Sequence, residues 1–167
     1  MKWITHEVGA VGLAVTLQLP LTAVVAAFFG GILPDVFDQR VARVFSRSKK
    51  GQQRVFGAVH RGLSHWFGLY LALLFMVEVW PLPLLLQEVI WGLGLGAASH
   101  VLLDMLTPKG VPLLPFSRKL RLACPICSTG TWREYLFLAL MTLTWLIVNR
   151  EACFVLLGRL QRFLGGF

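Results

Sequence analysis

The sequence predicts an all-α membrane protein, a polytopic helical bundle that forms a single domain over residues 1–167. Hydrophobic residues make up 56% of the chain and charged residues only 14%, which is too apolar for an ordinary soluble domain. Several apolar stretches approach membrane length, and short segments rich in Pro, Gly and charge separate them. We therefore expect a short N-terminal helical hairpin, a transmembrane hairpin and one or two C-terminal helices.

The first apolar stretch, residues 7–33, is interrupted by Gln18 and Pro20. Proline inside a helix removes a hydrogen bond, so the stretch predicts two short helices rather than one. A hairpin with arms of about 12 residues would not span a bilayer core of about 30 Å, but it would return Asp35 to the side of His6. The stretch also resembles a signal peptide, yet its single Lys2 favours an uncleaved membrane segment.

The next segment, residues 36–47, predicts a basic amphipathic helix on the membrane surface. The alternative is a solvated charged loop, because residues 46–53 have the composition of a linker. The two faces of the predicted helix carry apolar side chains on one side (Val36, Val41, Val44 and Phe45) and basic ones on the other (Arg40, Arg43 and Arg47).

Two longer apolar stretches, residues 63–80 and 84–106, are each expected to cross the membrane. The turn signal at residues 81–83, Pro-Leu-Pro, joins them into a transmembrane hairpin. Because a hairpin leaves and returns to the same face, the residues at its start and at its end should lie close together. Gly94, Gly96 and Ser99 provide small surfaces against which another helix could pack closely.

The remaining sequence predicts a loop, a last helix and a C-terminal tail. Residues 107–134 contain Pro, Gly and charged residues and indicate a cytoplasmic loop, with a partly buried segment at residues 111–116. Residues 135–148 predict a last apolar helix, somewhat short for a span, and residues 152–167 a weakly amphipathic tail. The sequence leaves the location of this tail open.

Basic residues outnumber acidic ones, giving a formal net charge of +8. Such a charge could indicate nucleic-acid binding, but these residues gather in interhelical segments, so topology explains them more simply and no specific nucleic acid is predicted. The positive-inside rule places both clusters in the cytoplasm. The first contains Arg40, Arg43, Arg47, Lys49, Lys50, Arg54 and Arg61, and the second Lys109, Arg118, Lys119, Arg121 and Arg133.

The cysteines are too few for a disulfide framework. Cys124 and Cys127 lie in the predicted cytoplasmic loop and are expected to be free thiols. The alternative, half of a zinc site, lacks a second cysteine pair or a nearby histidine to complete it. We assign no role to Cys153.

All four histidines and all three aspartates fall in four short motifs where apolar stretches begin or end. A buried imidazole or carboxylate is costly unless it is paired or bound to a metal, so the four motifs together predict one shared metal site. Taken singly, any of them could instead be an interfacial helix cap. The motifs are Thr5-His6, Pro34-Asp35-Val-Phe-Asp38, His60-Arg-Gly-Leu-Ser-His65 and Ser99-His100-Val-Leu-Leu-Asp104.

The spacing within two motifs suits helical metal ligands. His100 and Asp104 are four residues apart, so they project from one helix face and could bind one ion. Asp35 and Asp38 are three apart and could do the same. Asp38 could equally be an ordinary residue at a helix start.

His60 and His65 are five residues apart, which on a continuous helix would separate their directions by about 140°. Gly62 is expected to break the helix, so that His60 comes from a loop and His65 from the first turn of the transmembrane helix. Arg61 beside them suits a phosphate oxyanion, and the alternative is a solvated arginine.

Seven imidazole and carboxylate groups exceed the needs of one tetrahedral zinc ion, so the sequence predicts one or two divalent metal ions. Zinc is the expected metal, and manganese or iron suit the same donors. The ions would activate a water molecule, and Asp38 or Asp104 could serve as the general base. No Ser or Cys motif has the pattern of an activated nucleophile.

The motifs resemble those of the bacterial inner-membrane metal-dependent hydrolases, the family with a LexA-regulated member. The resemblance covers about residues 1–135. It rests on His6, Leu33-Pro34-Asp35, His60-Arg-Gly-Leu-Ser-His65 and the segment from Ser99-His100 through Asp104 to Thr107-Pro108-Lys-Gly110. It implies a multi-helix membrane protein with a hydrolytic metal site.

The resemblance bears on two further acidic residues. The family commonly has Asp-x-Asp after the proline, and the wider spacing here weighs against Asp38 as a ligand. Thr129-Gly130-Thr131 followed by Glu134 is similar to a family segment at the start of the last helix, which adds Glu134 to the candidate ligands. A more distant similarity, to zinc-dependent phospholipase C and related single-strand nucleases, implies phosphoester chemistry.

These observations lead to one main hypothesis and two alternatives. The main hypothesis is a multi-pass, membrane-bound metal-dependent hydrolase at the cytoplasmic face of the bacterial inner membrane. Its substrate would be a phosphoester of a lipid or other amphiphile, with basic segments holding anionic headgroups, and a membrane-embedded nuclease is a subordinate version. The alternatives are a metal-ion binding or transport protein, against which the clustering at one face argues, and a catalytically inactive membrane adaptor.

Overall fold

The computed structural model describes residues 1–115, 119–152 and 154, and most of their regular structure is helical. The helices are α1 (Trp3–Thr16), α2 (Leu21–Gly30), α3 (Leu33–Phe45), α4 (Lys49–Val59), α5 (Phe67–Val79), α6 (Leu84–Met105) and α7 (Trp132–Val148). A small antiparallel pair of strands, β1 (Val111–Pro112) and β2 (Arg121–Leu122), lies in the connection between α6 and α7. The fold is therefore mostly helical, as predicted.

The N-terminal hairpin forms as the sequence indicates. Helix α1 has 14 residues and α2 has 10, and the chain turns between them at Gln18, whose φ is +54°. Pro20 precedes the first turn of α2, where its missing N–H is not needed. The hairpin brings the start of α1 beside α3. The Trp3 indole N–H there donates a hydrogen bond to the Asp35 Oδ2 at 3.2 Å.

Helices α2 and α6 pack with their backbones in close contact. A Cβ atom on Gly96 would lie 2.2 Å from the Ala27 carbonyl oxygen, and one on Gly30 would lie 2.4 Å from the Leu93 carbonyl oxygen. Glycine is thus required on both sides of the contact. Gly94, in contrast, faces leucine side chains of α5. The expected close approach of a second helix is confirmed for Gly96.

Helix α3 matches the predicted amphipathic helix but begins earlier, so Asp35 and Asp38 both lie inside it. The prediction that residues 46–53 form a linker is wrong over its second half, because α4 begins at Lys49. Ser48 starts this helix, since its Oγ accepts a hydrogen bond from the Gly51 N–H at 3.1 Å. The N-cap geometry therefore outweighs the polar composition of the segment.

The first arm of the predicted transmembrane hairpin is shorter than expected. Residues Leu63–His65 form a single 3₁₀ turn, and α5 has only 13 residues, which cover about 20 Å of a core about 30 Å thick. Among the described residues, only α6 is long and apolar enough to cross a membrane by itself. Helices α2 and α3, bent by 46° at their junction, pass the same test as a pair. The polytopic bundle remains a prediction.

The connection after α6 folds back against the end of that helix. The Cys124 N–H donates to the Met105 carbonyl and the Ile126 N–H to the Leu106 carbonyl. Of the predicted buried segment, residues 111–116, the first two are buried, the next two are exposed and Phe116 lies outside the described residues. The Cys124 and Cys127 thiols are free. The predicted tail lies outside the described residues except at 152 and 154, and so does Cys153.

The contact between α2 and α6 predicts the effect of a single methyl group. Gly96→Ala should lower the free energy of unfolding by about 1–3 kcal/mol, because its Cβ must displace backbone atoms of α2. Thermal unfolding of the purified protein in detergent measures this change. Gly57→Ala is the matched control, since a Cβ there meets nothing within 4 Å and should be neutral or stabilising. Equal melting temperatures for the two variants would contradict the prediction.

Candidate metal centre

The four sequence motifs meet at one place in the fold. His6 comes from α1, Asp35 and Asp38 from α3, His60 and His65 from the connection between α4 and α5, and His100 and Asp104 from the last turns of α6. Three of the imidazoles, those of His6, His65 and His100, are fully buried. Two groups of side chains present donor atoms within 4.8 Å of one another: His6, His100 and Asp104, and Asp35, His60 and His65.

The centre of the cluster is a triangle of three donor atoms. The Nε2 atoms of His65 and His100 are 3.3 Å apart. The Oδ1 atom of Asp35 lies 3.5 Å from the first nitrogen and 3.7 Å from the second. Three helical segments distant in sequence thus direct one donor atom each to a common point.

Hydrogen bonds on the far side of each imidazole determine which nitrogen is free. The Nδ1 of His100 donates to the Gly31 carbonyl oxygen at 2.7 Å, because a carbonyl can only accept. The Nδ1 of His65 lies 3.0 Å from the Ser64 Oγ, whose own hydrogen is donated to the Asp38 Oδ1 at 2.6 Å. Neutral imidazoles held in this way present two Nε2 lone pairs to each other.

This donor set fits a divalent cation. Two ligands of a tetrahedral zinc ion, with bonds of about 2.0–2.1 Å, lie about 3.3–3.4 Å apart, close to the separation of the two nitrogens. The Asp35 Oδ1 and both ring nitrogens of His6 are buried without a hydrogen-bond partner, although buried polar atoms normally have one. Imidazole donors backed by a carbonyl or a carboxylate are also typical of metal sites.

The second group lies deeper, beside α1. The Nε2 of His6 is 3.5 Å from the Asp104 Oδ1, and the rings of His6 and His100 stack with centroids 3.7 Å apart. The other oxygen of Asp104 lies 3.8 Å from the His65 Nε2, which joins this group to the central triangle. As predicted from their spacing, His100 and Asp104 face the same place.

His60 lies at the rim of the cluster. Its side chain is 24% exposed, and its Nδ1 lies 3.5 Å from the Asp35 Oδ1 and 3.2 Å from the Asp38 Oδ2. The His60 ring stacks on Phe56, with centroids 4.5 Å apart. His60 and His65 come from different local structures, as predicted, but His65 lies in a 3₁₀ turn before α5 rather than in the first turn of that helix, and His60 follows the last residue of α4.

Asp38 supports the imidazoles from behind. It is buried in the second turn of α3, so the alternative of a residue at the helix start is wrong. One oxygen accepts the Ser64 hydroxyl hydrogen, and the other is hydrogen-bonded to the His60 Nδ1 at 3.2 Å and lies 3.5 Å from the His65 Nδ1. Both oxygens are therefore occupied, which favours a positioning role over the predicted role of general base.

Arg61 is buried, so the alternative of a solvated arginine is wrong. Its Nη2 lies 2.8 Å from the Asp104 Oδ2, and its Nη1 donates to the Thr107 hydroxyl and to the Gly110 carbonyl. The guanidinium is thus committed to the end of α6 rather than held free for a phosphate. The same ion pair, with the Met1 amine 2.9 Å from the Asp104 Oδ1, argues against Asp104 as a general base.

Glu134 stands outside both donor groups. It is buried at the start of α7, where its carboxylate accepts hydrogen bonds from the Lys2 N–H, the Gly130 N–H and the Thr5 hydroxyl. Burial opposes its ionisation, but these donors outweigh burial and hold the pKa of Glu134 below its ordinary value. These contacts favour a role for Glu134 in fixing the N-terminal segment over its predicted role as a ligand.

Sequence reasoning missed the residues that orient the donors. Ser64 and Thr107 are buried and hold Asp38 and Arg61 respectively, yet each was only part of a motif without a role of its own. Their position inside the motifs was the available signal. The Gly31 carbonyl offered no signal, because a backbone acceptor has no sequence signature.

A polar cavity of about 440 Å³ adjoins the cluster. Asp35, His60 and Asp104 contribute to its wall from the donor groups. Other polar side chains in the wall are Arg61, Thr107, Lys109, Ser128 and Thr129. A small polar molecule therefore has a path to the candidate ligands.

A family model described as YdjM inner membrane protein matches residues 1–160. The Escherichia coli (strain K12) inner membrane protein YdjM is 36% identical over 123 residues, which is 68% of this chain and 59% of that protein's length. The Bacillus subtilis (strain 168) uncharacterized protein YvsG is 31% identical over 127 residues, or 74% of this chain and 76% of YvsG. No solved structure matches the chain. These findings support the bacterial inner-membrane family and give no support to the expected similarity to zinc-dependent phospholipase C.

The donor geometry predicts the metal content of the purified protein. We expect about one to two zinc, manganese or iron ions per chain by elemental mass spectrometry, and a loss of ions in His100→Ala, which removes a donor of the central triangle. Glu134→Gln is the control and should keep its metal, because the Glu134 carboxylate is hydrogen-bonded to backbone N–H groups and lies outside both donor groups. Metal retained equally in His100→Ala, or lost from a folded Glu134→Gln protein, would contradict the assignment.

Proposed function

The chain belongs to the YdjM inner membrane protein family, which supports a location in the bacterial inner membrane, and we propose that it is a membrane-bound, metal-dependent hydrolase there. The observation that carries the proposal is the central triangle of His65 Nε2, His100 Nε2 and Asp35 Oδ1, with sides of 3.3 to 3.7 Å. A buried arrangement of this kind is costly for a purely structural role. It is inexpensive when the donors hold a cation.

The contacts suggest a separate role for each group of residues in the proposed site. His65, His100 and Asp35 would hold a divalent ion, with His6, His60 and Asp104 beside them. When bound, such an ion polarises a phosphoryl oxygen and lowers the pKa of a coordinated water. Asp38 and Ser64 fix the tautomer and direction of the His65 ring, and the Gly31 carbonyl does the same for His100.

A phosphoester substrate is supported by the polar cavity. Lys109 provides a cation there, and Ser128 and Thr129 provide hydroxyl donors, which together suit the oxygens of a phosphate. The Arg61 guanidinium neutralises Asp104 at 2.8 Å and so lowers the repulsion between the cavity and an anion. The proposed substrate is therefore a phosphoester of a lipid or another amphiphile.

The proposed location is the cytoplasmic face of a multi-pass protein. Helices α3 and α4 with their connection, and the connection after α6, carry 10 of the 16 basic residues, and both regions adjoin the donor cluster. By the positive-inside rule this end of the molecule faces the cytoplasm. The basic residues would then attract anionic lipid headgroups to the site.

Hydrolysis tests the proposed activity directly. The purified, metal-loaded protein should cleave at least one member of a panel of phosphatidic acid, nucleotides and p-nitrophenyl phosphates. His65→Ala should lower kcat/KM at least about 100-fold, and Ser64→Ala, which loosens the His65 ring, about 10-fold. Gln53→Ala, exposed on α4, is the control. Activity unchanged in His65→Ala would reveal a contaminant, and an inactive wild type across the panel would refute the proposal.

Topology is tested separately from activity. A reporter that is active only in the cytoplasm, fused at Lys49 at the start of α4, should give full signal in intact cells. A second fusion of the same reporter at residue 82, between α5 and α6, should give no signal. This position lies at the start of α6, and the donor cluster lies at its end. A periplasmic result at Lys49 would reverse the proposed orientation.

A further inference from the structure

Two cavities that differ in polarity flank the segment formed by residues 60–64. The polar cavity described above lies on one side, where His60 and Arg61 contribute to its wall. A second cavity of about 290 Å³ lies on the other side, where Gly62, Leu63 and Ser64 contribute. The candidate metal centre is therefore next to both cavities.

The second cavity is almost entirely apolar. Its wall is formed by Phe37 and Val41 from α3, Ala58 and Val59 from α4, Leu63, and the prolines Pro112 and Pro115. Asp38 and Ser64 are its polar residues, and they are hydrogen-bonded to each other at 2.6 Å. One side of the cavity thus ends at the pair that orients the His65 ring.

We propose that the apolar cavity holds an acyl chain of the substrate while its phosphate headgroup occupies the polar cavity. The inference rests on the proposed hydrolytic function and narrows it to a substrate with a long hydrocarbon chain. Asp35 and His60 line the polar cavity, and His60 lies 3.2 Å from Asp38, which lines the apolar cavity, so this contact marks where the two cavities adjoin. A phosphoester bond between head and chain would then lie at the candidate ligands.

The size and surroundings of the apolar cavity favour a single hydrocarbon chain over a protein segment. A volume of about 290 Å³ is too small for a helix or a strand with its side chains, whereas an extended chain needs only a narrow channel. Phe37 is 58% exposed and Leu63 is 45% exposed, so the lining continues into exposed apolar surface. In an inner membrane protein, lipid is the apolar molecule that is present at such a surface.

The charge of the polar cavity complements the other end of the same molecule. Lys109 and the hydroxyls of Ser128 and Thr129 can bind phosphate oxygens, and Arg61 already neutralises Asp104. Lys109, Ser128 and Thr129 are exposed to solvent, and only an anionic headgroup gains a charge interaction with Lys109 there. The pair of cavities therefore selects an anionic phospholipid or a lipid phosphate rather than a neutral ester.

The test uses n-alkyl phosphonates with chains of four to ten carbons, about the range that a short channel can hold, because their C–P bond resists hydrolysis. Their binding to the full chain in lipid nanodiscs is measured by titration calorimetry. Affinity should rise about fourfold with each methylene that enters the cavity and then level off. Ala58→Trp, which fills the cavity from α4, should remove the dependence on chain length, and Val41→Phe, which narrows it from α3, should reduce it.

Gln53→Trp is the matched control, because it places the same side chain on the same helix outside this cavity. It should keep the wild-type dependence, which also corrects for partition of the probes into the bilayer. Equal dependence in Ala58→Trp, Val41→Phe and Gln53→Trp would overturn the inference, even if the protein hydrolyses water-soluble phosphoesters. The inference is supported if Ala58→Trp and Val41→Phe weaken the dependence of affinity on chain length and Gln53→Trp does not. Because the assay measures binding alone, failure of the hydrolase proposal is detected separately.

Discussion

The structure depends on two imidazole nitrogens that face each other at 3.3 Å inside the protein. Each ring donates its Nδ1 hydrogen outward, to the Gly31 carbonyl and to the Ser64 hydroxyl, so both inner lone pairs remain free. Two such lone pairs repel unless a cation lies between them. Much of the surrounding polar structure holds the two rings in this orientation, which explains why buried charge and hydroxyl groups are concentrated at one end of a largely apolar chain.

The close packing of α2 against α6 makes this orientation possible. The Gly31 carbonyl lies at the bend between α2 and α3, and it reaches His100 because glycines let the two helices approach to backbone contact. The bend also starts α3 in the direction that carries Asp35 into the cluster. A larger residue at Gly96 or Gly30 would therefore move both a ring partner and a donor, although neither glycine touches the site chemically.

A second group of buried polar residues neutralises and positions the candidate metal ligands. Asp38 and Ser64 hold His65, Arg61 and Thr107 hold Asp104 and the end of α6, and Glu134 fixes the N-terminal segment beside α1. Buried charges in this group are paired or hydrogen-bonded, which limits the cost of burying them. The polar cavity and the apolar cavity both end at this group, so substrate binding and donor orientation would share residues.

The sequence by itself determined the helical class, the N-terminal hairpin and the set of histidines and aspartates that cluster, because apolar stretches and the cost of buried imidazoles are local properties. It did not predict α4 and it overestimated the length of α5, where a serine cap and a 3₁₀ turn outweigh composition. Only the tertiary structure decided which group is a donor and which a support. In a linear motif, three residues look like candidates for chemistry: Asp38, Arg61 and Glu134. In the structure, Asp38 is bonded to Ser64, Arg61 to Asp104, and Glu134 to backbone N–H groups. These partners lie far away in sequence or on the opposite side of a turn, so the sequence does not reveal them.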